Sequence, residues 1–558
     1  MKKSLVNYLP AILSGILLSW AFPRFHFHWL TWIALAPLFL SATRAAPAAA
    51  AIQFYLCGHI FYTLLLQWLI ANIFWAGGWA IIGQQMLCVV LAIYWAVLGY
   101  IWRWAHNRSS VYAGALCLAG LWTGMELLQA RMFTGFGWGA LGYTQGGNLP
   151  VAQLASVGGV SFVSFAIILV NALFALAAAS HVLRLKRVGG AVLILLSAHG
   201  AGYVLLGAAD YESAPLTTGV VQTNFSQEMK WDPAYETDMP RHAAQLSRAL
   251  AAHNKVDLIT WPEALFVRHY GKPEFMEILA NLALDTGAHI FSGAVRDEYA
   301  TGDSFNSSVL ISPEGAELGY YDKVRLALFG EYIPFEDYLP FIGKIAFGGV
   351  SAGNEQKLFP VNNRTLGPLI CFEVLFAPMA EKLRAMGADM LVVVTNLAWF
   401  GGSNAIPQEL EIARMRAIET RLPLIHSANT GISGVFDPFG RFKVVRHTVA
   451  ARGNLVDWGE DFQPHHAIMR RFVGAFPVSA PGTRYIPFGP VLLPWIIAGL
   501  GLLFLAIAAI QPMLPVSEEG GVRPKARSKA KPKTKTPDST KQPRKKKRSQ
   551  KEATGDAE

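Results

Sequence analysis

Charge is what this chain has least of. Only 15% of its 558 residues are Asp, Glu, Lys or Arg, and 53% are hydrophobic; soluble domains usually carry about 25% charged residues. The deficit lies in the first 210 residues and near 490–511. That excludes a wholly water-soluble protein and leaves one soluble part between membrane-embedded ones. Cysteine is scarce as well. Cys57, Cys88 and Cys117 fall in apolar segments, where a cysteine packs as a small hydrophobe, and Cys371 stands alone in the soluble part. A disulfide framework is therefore excluded. No His-rich or Cys-rich ligand cluster is present, so no metal and no cofactor is expected. The net charge of +10 belongs to a tail: residues 512–558 hold 14 Lys/Arg against 6 Asp/Glu, and the rest is close to neutral. That tail is rich in Lys, Pro, Ser and Thr, which predicts disorder. It reads as a basic cytoplasmic topology anchor that also suits anionic lipid headgroups, and no nucleic-acid partner is expected.

Apolar runs near 5–22, 28–43, 49–75, 78–102, 111–130, 151–180 and 189–208, with an eighth near 490–511, are each close to the ~20 residues that cross a bilayer. Pro37 interrupts the second. Lys2, Lys3, Arg44, Arg103, Arg108, Arg184, Lys186, Arg187 and the tail then fall on one side, which the positive-inside rule makes cytoplasmic. Seven spans place the soluble part on the opposite side. The expected organisation is a membrane domain over 1–210, an extracytoplasmic catalytic domain over 211–488, a final span over 489–511 and the tail over 512–558. Glu126 falls near the outer end of the fifth span, where a carboxylate is expected to snorkel to the interface or to pair with Arg131, and the loop Gly135–Gly142 is aromatic and glycine-rich, suited to a membrane interface or a lipid entry.

The soluble part alternates strand-like and helix-like stretches. Strands are predicted over Leu216–Gln222, Val256–Trp261, His289–Val295, Ser307–Ser312, Gly367–Cys371, Met390–Thr395, Leu424–Ala428 and Gly431–Phe436. Helices are predicted over Tyr235–His253, Glu274–Thr286, Pro378–Met386 and Pro407–Arg421. Interleaving of this kind predicts an α/β layered domain.

Three strand ends in that domain carry chemistry. Trp261-Pro-Glu263 presents a carboxylate beyond a bend, placed as a general base would be. Lys323 precedes Phe329-Gly-Glu331-Tyr; its ammonium suits an oxyanion and would hold a nearby thiol as thiolate, with Glu331 orienting it. Cys371-Phe372-Glu373 follows an apolar strand and precedes a helix, the place of a nucleophile on a sharp turn. A carboxylate, a lysine and a cysteine at successive strand ends supply a base, an electrostatic stabiliser and a nucleophile.

The order of these motifs resembles the nitrilase (carbon–nitrogen hydrolase) superfamily. Lys230-Trp231-Asp-Pro233, Trp399-Phe-Gly401 and Ala413-Arg-Met-Arg416-Ala-Ile-Glu419, with seven spans before the domain and one after, narrow the resemblance to the apolipoprotein N-acyltransferase family. The resemblance implies an αββα sandwich on an α-helical membrane bundle of about eight spans. It implies Glu263 as base, Lys323 as oxyanion stabiliser and Cys371 as nucleophile, with Trp231, Glu331, Phe372, Glu373 and Trp399 in supporting or substrate-binding roles. It further implies a phospholipid acyl donor, diacylglyceryl apolipoprotein acceptors, a thioester intermediate, no cofactor and a monomer in the bacterial inner membrane with a periplasmic catalytic domain. The chain departs from the pattern at Phe372, where the family has Tyr; at Leu397, where Asp is usual; at Glu409, where a His is expected; and at Leu328, where Pro is frequent. A membrane-tethered amidase acting on a small substrate would need one anchor, not eight spans. A catalytically idle docking scaffold or divergent paralogue draws its support from Phe372.

Overall fold

The computed structural model describes residues 7–72, 77–181, 183–208, 215–327, 330–331, 349–450, 453–479, 485 and 489–510. Leu328 and the tail at 512–558 lie outside the described residues. The N-terminal helices are α1 (Leu9–Ala21), α2 (Ala36–Ala42), α3 (Pro47–Leu65), α4 (Trp79–His106), α5 (Val111–Gln129), α6 (Ala155–Ala179) and α7 (Arg184–Gly207). The soluble domain adds α8 (Asp238–His253), α9 (Pro273–Thr286), α10 (Ala377–Met386) and α11 (Ala405–Thr420), and α12 (Gly489–Ile510) closes the described chain.

Among the described residues, α3, α4, α6, α7 and α12 are long and apolar enough to cross a membrane, and α5 is a further helix of 19 residues. The spans expected near 5–22 and 28–43 are shorter than drawn. The first is a 13-residue helix. The second is a 3-10 turn, His28–Trp32, followed by α2, whose N-terminus holds Pro37; proline suits a helix start and not its middle. The expected span at 49–75 ends at Leu65, and Gln67–Asn72 forms a separate 3-10 turn. Arg184 and Arg187 lie inside α7 and not in a loop; Arg187 donates to the Leu176 carbonyl of α6 at 2.7 Å.

Glu126 does not pair with Arg131. Arg131 lies beyond the end of α5, past the C-cap at Ala130. The Glu126 carboxylate is buried and accepts from Trp122 Nε1 at 3.1 Å and from the Leu141 backbone N–H at 3.0 Å, fastening the Gly135–Gly142 loop to α5. Arg131 lies over the Trp495 ring at 5.1 Å. Helices α5 and α12 meet where Gly120 faces Gly501: a Cβ on Gly501 would come within 2.7 Å of the Gly120 backbone. Small residues let membrane helices approach this closely.

The soluble domain contains β1 (Leu216–Gln222), β2 (Leu258–Thr260), β3 (Phe266–His269), β4 (His289–Glu298), β5 (Asp303–Ile311), β6 (Glu317–Asp322), β7 (Phe359–Val361), β8 (Arg364–Ile370), β9 (Met390–Thr395), β10 (Leu424–Ala428), β11 (Gly434–Phe436), β12 (Phe442–Val444), β13 (His447–Val449), β14 (Leu455–Asp457) and β15 (Phe472–Val478). One sheet runs β14-β13-β15-β1-β2-β4-β5-β6, with β3 beside β4; the other runs β12-β11-β10-β9-β8-β7. Strand side chains alternate between faces, and both sheets use the alternation. Val220, Leu258, Phe291 and Leu310 of one sheet meet Ile370, Val392, Val394 and Ile425 of the other in a shared core. Val221, Ile259, Ile290 and Val309 face outward onto α8 and α9. Leu369, Leu391, Val393 and Leu424 face outward onto α10 and α11, and that layer belongs to the same core as the membrane helices. The result is an αββα sandwich with one helix layer pressed against the bundle.

Gly501→Leu should therefore part α5 from α12. Overpacking of this kind costs typically 1–3 kcal/mol. The thermal unfolding midpoint of the detergent-solubilised protein should fall, and an unchanged midpoint would show that the helices do not meet at these glycines.

Candidate active site

Cys371 follows β8 directly and opens a 3-10 turn, Cys371–Leu375. Its φ of 52° is in the left-handed region, which costs a non-glycine residue roughly 1–2 kcal/mol. Glu373 holds this turn. Its carboxylate is fully buried and accepts four hydrogen bonds: from Tyr321 Oη and Val324 N at 2.8 Å, Arg325 N at 3.0 Å and Ile370 N at 2.8 Å. Glu373 thus ties the cysteine turn to the segment just after Lys323. Burial pushes its pKa up, against the pull of these donors.

Lys323 and Glu263 share one buried pocket. Lys323 Nζ lies 3.4 Å from Glu263 Oε1 and 2.8 Å from Glu331 Oε2. Burial alone would weaken the ammonium, but Glu331, Glu263 and the Cys371 sulfur outweigh it and hold Lys323 above its ordinary range. Glu331 is held down, since Lys323, the Ala327 N–H and Asn306 overcome its own burial. Glu331 thus meets the Lys323 ammonium through an ion pair. Glu263 is carried on the Trp261-Pro262-Glu263 bend, which leans so closely on β4 that a Cβ on Gly293 would come within 2.5 Å of the Glu263 Cα.

The structure corrects one expectation. Lys323 does not hold the thiol as a standing thiolate. Burial raises the Cys371 pKa well above its ordinary value, the Glu263 and Glu409 carboxylates add to this, and Lys323 and Thr395 only partly offset it. At neutral pH the sulfur is therefore held as the neutral thiol.

Two site residues escaped the sequence reading. Asn306 Nδ2 donates to Glu263 Oε1 at 2.8 Å and to Glu331 Oε1 at 2.6 Å, bridging the two carboxylates. Lys230 is buried, and its Nζ donates to the Glu263 carbonyl at 3.0 Å. Burial lowers it to about 8, against the opposing pull of Glu263 and Cys371. The signal for Asn306 was polarity inside a strand, Ser304-Phe-Asn-Ser-Ser308, where an apolar run was due; Lys230 sat in a quoted motif without a role.

Phe372 sits in an aromatic cluster supplied mostly by the membrane domain. Its ring lies 6.3 Å from Phe136, 6.5 Å from Trp138 and 5.6 Å from Phe376. Trp68 continues the cluster, 4.8 Å from Trp138 and 4.7 Å from Phe400. Trp231 and Trp399 stand together at the rim with ring centres 6.3 Å apart, and Trp231 is 55% exposed. Gln408 of α11 accepts from the indoles of Trp68 at 3.2 Å and Trp138 at 2.6 Å, locking the aromatic wall to the catalytic domain.

Glu373→Gln puts an amide N–H against one of four donors. A buried donor left unpaired costs about 1–3 kcal/mol, so this variant should unfold at lower temperature and lose reactivity at Cys371 toward an alkylating probe. Unaltered stability and reactivity would remove Glu373 from its place as the clamp of the site.

Comparison with known proteins follows the same division of the chain. Residues 14–173 match the apolipoprotein N-acyltransferase N-terminal domain family, and residues 217–449 match the carbon-nitrogen hydrolase family. The apolipoprotein N-acyltransferase of Geobacter metallireducens is 33% identical over 452 residues, covering 78% of this chain and 86% of that protein. That of Pseudomonas syringae pv. tomato is 32% identical over 455 residues, covering 78% and 87%. An amidase from Nesterenkonia sp. of known crystal structure is 18% identical, with a TM-score of 0.34, covering 48% of this chain and 92% of the amidase. The domain match, the extent of these relatives and the sandwich on its helical bundle lead to one conclusion: the chain belongs to the apolipoprotein N-acyltransferase family.

Proposed function

We propose that the protein moves an acyl chain from a membrane phospholipid to the α-amine of the diacylglyceryl-cysteine at the N-terminus of an apolipoprotein, through a thioester on Cys371. The observation that carries this reading is the position of the thiol. It neighbours Glu263 and Lys323 on one side, and the residue beside it, Phe372, joins an aromatic wall built from membrane-domain Trp68, Phe136 and Trp138. An apolar wall rising from the bundle suits an acyl chain drawn from lipid; a small polar amide would leave it without purpose. That contrast favours acyl transfer over a tethered amidase. Phe372 packs, partly buried, against this wall, and its ring adds to the apolar surface that an acyl chain would meet.

In the first half-reaction Glu263 takes the Cys371 proton as the sulfur attacks the ester carbonyl carbon. A C–S bond forms, and the oxyanion of the tetrahedral intermediate is stabilised by Lys323. Collapse breaks the ester C–O bond, and the proton on Glu263 passes to the departing lysophospholipid oxygen. In the second half-reaction the acceptor amine attacks the thioester carbon, Glu263 takes an amine proton, and Lys323 again faces the oxyanion. The C–S bond breaks, an amide remains on the acceptor and the thiol regains its proton. Because the resting thiol is neutral, Glu263 must accept the proton during attack, and not before it.

Orientation enters the same proposal. With basic residues flanking the helices on one side and the soluble domain on the other, the catalytic domain stands outside the cytoplasm, in the periplasm of a bacterium with an inner membrane. The protein acts as a monomer, with the bilayer itself delivering both substrates.

Intact-mass measurement tests the core of this reading. Purified protein incubated with phospholipid should gain one fatty acyl group on the peptide containing Cys371, and a diacylglyceryl-cysteine peptide should remove it. An adduct elsewhere, or none, would sink the assignment. Lys323→Met should slow acyl-enzyme formation about 10²–10³-fold, the usual loss of one oxyanion donor, while phospholipid still binds. A slowing of less than about tenfold would take the oxyanion role from Lys323.

A further inference from the structure

A second polar cluster adjoins Cys371, and the steps above leave it unused. Thr395 ends β9. It stands beside Cys371, because the preceding residue, Val394, pairs with Ile370; its hydroxyl eases ionisation of the Cys371 sulfur and lies 2.9 Å from Glu409 Oε1. Glu409, on α11, is 2% exposed. Its other oxygen, Oε2, lies 3.8 Å from His426 Nε2, and neither atom has a hydrogen-bond partner among the described residues. His426 Nδ1 lies 2.8 Å from the Ile432 carbonyl, which can only accept. The ring proton is therefore on Nδ1, and Nε2 turns a lone pair toward Glu409.

A carboxylate facing a lone pair in a buried site is disfavoured by burial and by repulsion; a neutral acid carries no net charge and lessens both. Burial raises Glu409 to about 8, helped by Glu263 and opposed by the Thr395 hydrogen bond and Lys323. Burial lowers His426 to about 4. The titratable groups facing Glu409 are thus His426 on β10 and Cys371, Glu263 and Lys323 across the site, with Lys230 beyond Glu263. Farther along α11, Arg416 is engaged with Glu419 and Tyr143.

Thr395 has one hydroxyl proton and two neighbours that could use it. If Glu409 is ionised, the proton goes to Glu409 and the sulfur receives none. If Glu409 is protonated, its Oε1 hydroxyl can donate to Thr395, since the 2.9 Å contact is a hydrogen bond and the 3.8 Å approach to His426 is not. The Thr395 proton is then released toward the sulfur, where it gains most when the sulfur is anionic. We propose that Glu409 is a positioning residue for acyl transfer: as a neutral acid it donates to Thr395 and turns the threonine proton onto the Cys371 sulfur as negative charge develops there. The device serves twice, at attack on the phospholipid ester and when sulfur departs from the second tetrahedral intermediate. The inference rests on Cys371 being the nucleophile of the reaction proposed above.

The test uses full-length enzyme and phospholipid without an amine acceptor, so that only acyl-enzyme formation is read. Its rate is followed from below to well above the Glu409 titration near pH 8. The wild-type rate should fall as Glu409 ionises. Glu409→Gln, whose amide N–H donates to Thr395 at every pH, should keep at least about one third of the neutral-pH rate and lack the fall. Thr395→Val should be about tenfold slower at neutral pH, the worth of one charge-assisted hydrogen bond, and should also lack the fall. An alkaline fall that persists in Glu409→Gln belongs to another group, such as Lys230, and overturns the proposal; so does wild-type speed in Thr395→Val. If Glu409→Gln does not fold, the rate and pH profile of Thr395→Val decide alone. No adduct in the wild type at any pH is a different failure and brings down the acyl-transfer reading itself.

Discussion

The structure turns on a guanidinium that water never reaches. Arg416 of α11 is completely buried, and so is the Glu419 carboxylate it meets at 2.8 Å. Taking an ion out of water costs several kcal/mol, and only good geometry offsets it. Arg416 has that geometry from both halves of the molecule: the Leu375 carbonyl of the cysteine turn at 3.4 Å and the Tyr143 hydroxyl of the membrane domain at 3.2 Å. Glu419 in turn accepts from the Val160 N–H at 2.8 Å. That N–H is free because α6 is broken at Gly158 and Gly159, and Gly159 has a φ of 68°. A carboxylate on a newly opened helix N-terminus is favourable twice over, by hydrogen bond and by dipole. One buried ion pair therefore joins the cysteine turn, the helix layer of the soluble domain and the break in a membrane helix.

The same helix serves two sides of the active site. On α11, Gln408 fixes the indoles of the aromatic wall, while the neighbouring Glu409 reaches Thr395 beside the sulfur. Adjacent residues on a helix point about 100° apart, so one helix addresses lipid-side and thiol-side chemistry together. The catalytic layer and the bundle share a single hydrophobic core. Cutting the chain between them would expose that core to water, so the catalytic half is not built to stand alone.

Much of this was legible in the sequence, for identifiable reasons. Met390–Thr395 and Leu424–Ala428 form strands with the bounds the apolar runs suggested, because a strand covered on both faces is apolar throughout. Short edge strands such as Leu455–Asp457 left no such signature, and Phe472–Val478, which pairs along its whole length with β1, was hidden by a proline at position 477. The three chemical groups were readable because each ends a strand. Their neighbours were not. Asn306 bridges Glu263 and Glu331, which are far apart in the chain, and its local signal, a polar strand, names no partner. The membrane helices show the opposite bias: hydropathy counted apolar residues at 28–32 and 67–72 that the fold uses for 3-10 turns, in the second of which Trp68 meets Phe400.

The left-handed turn at Cys371 and the acid groups around it have one more effect. Peroxides and foreign disulfides react with the ionised form of a cysteine. A sulfhydryl whose ionisation is suppressed, and which gives up its proton only to a base during attack on substrate, is poorly reactive toward such oxidants while it waits. Such a sulfur stays reduced in oxidising surroundings without a partner cysteine to guard it.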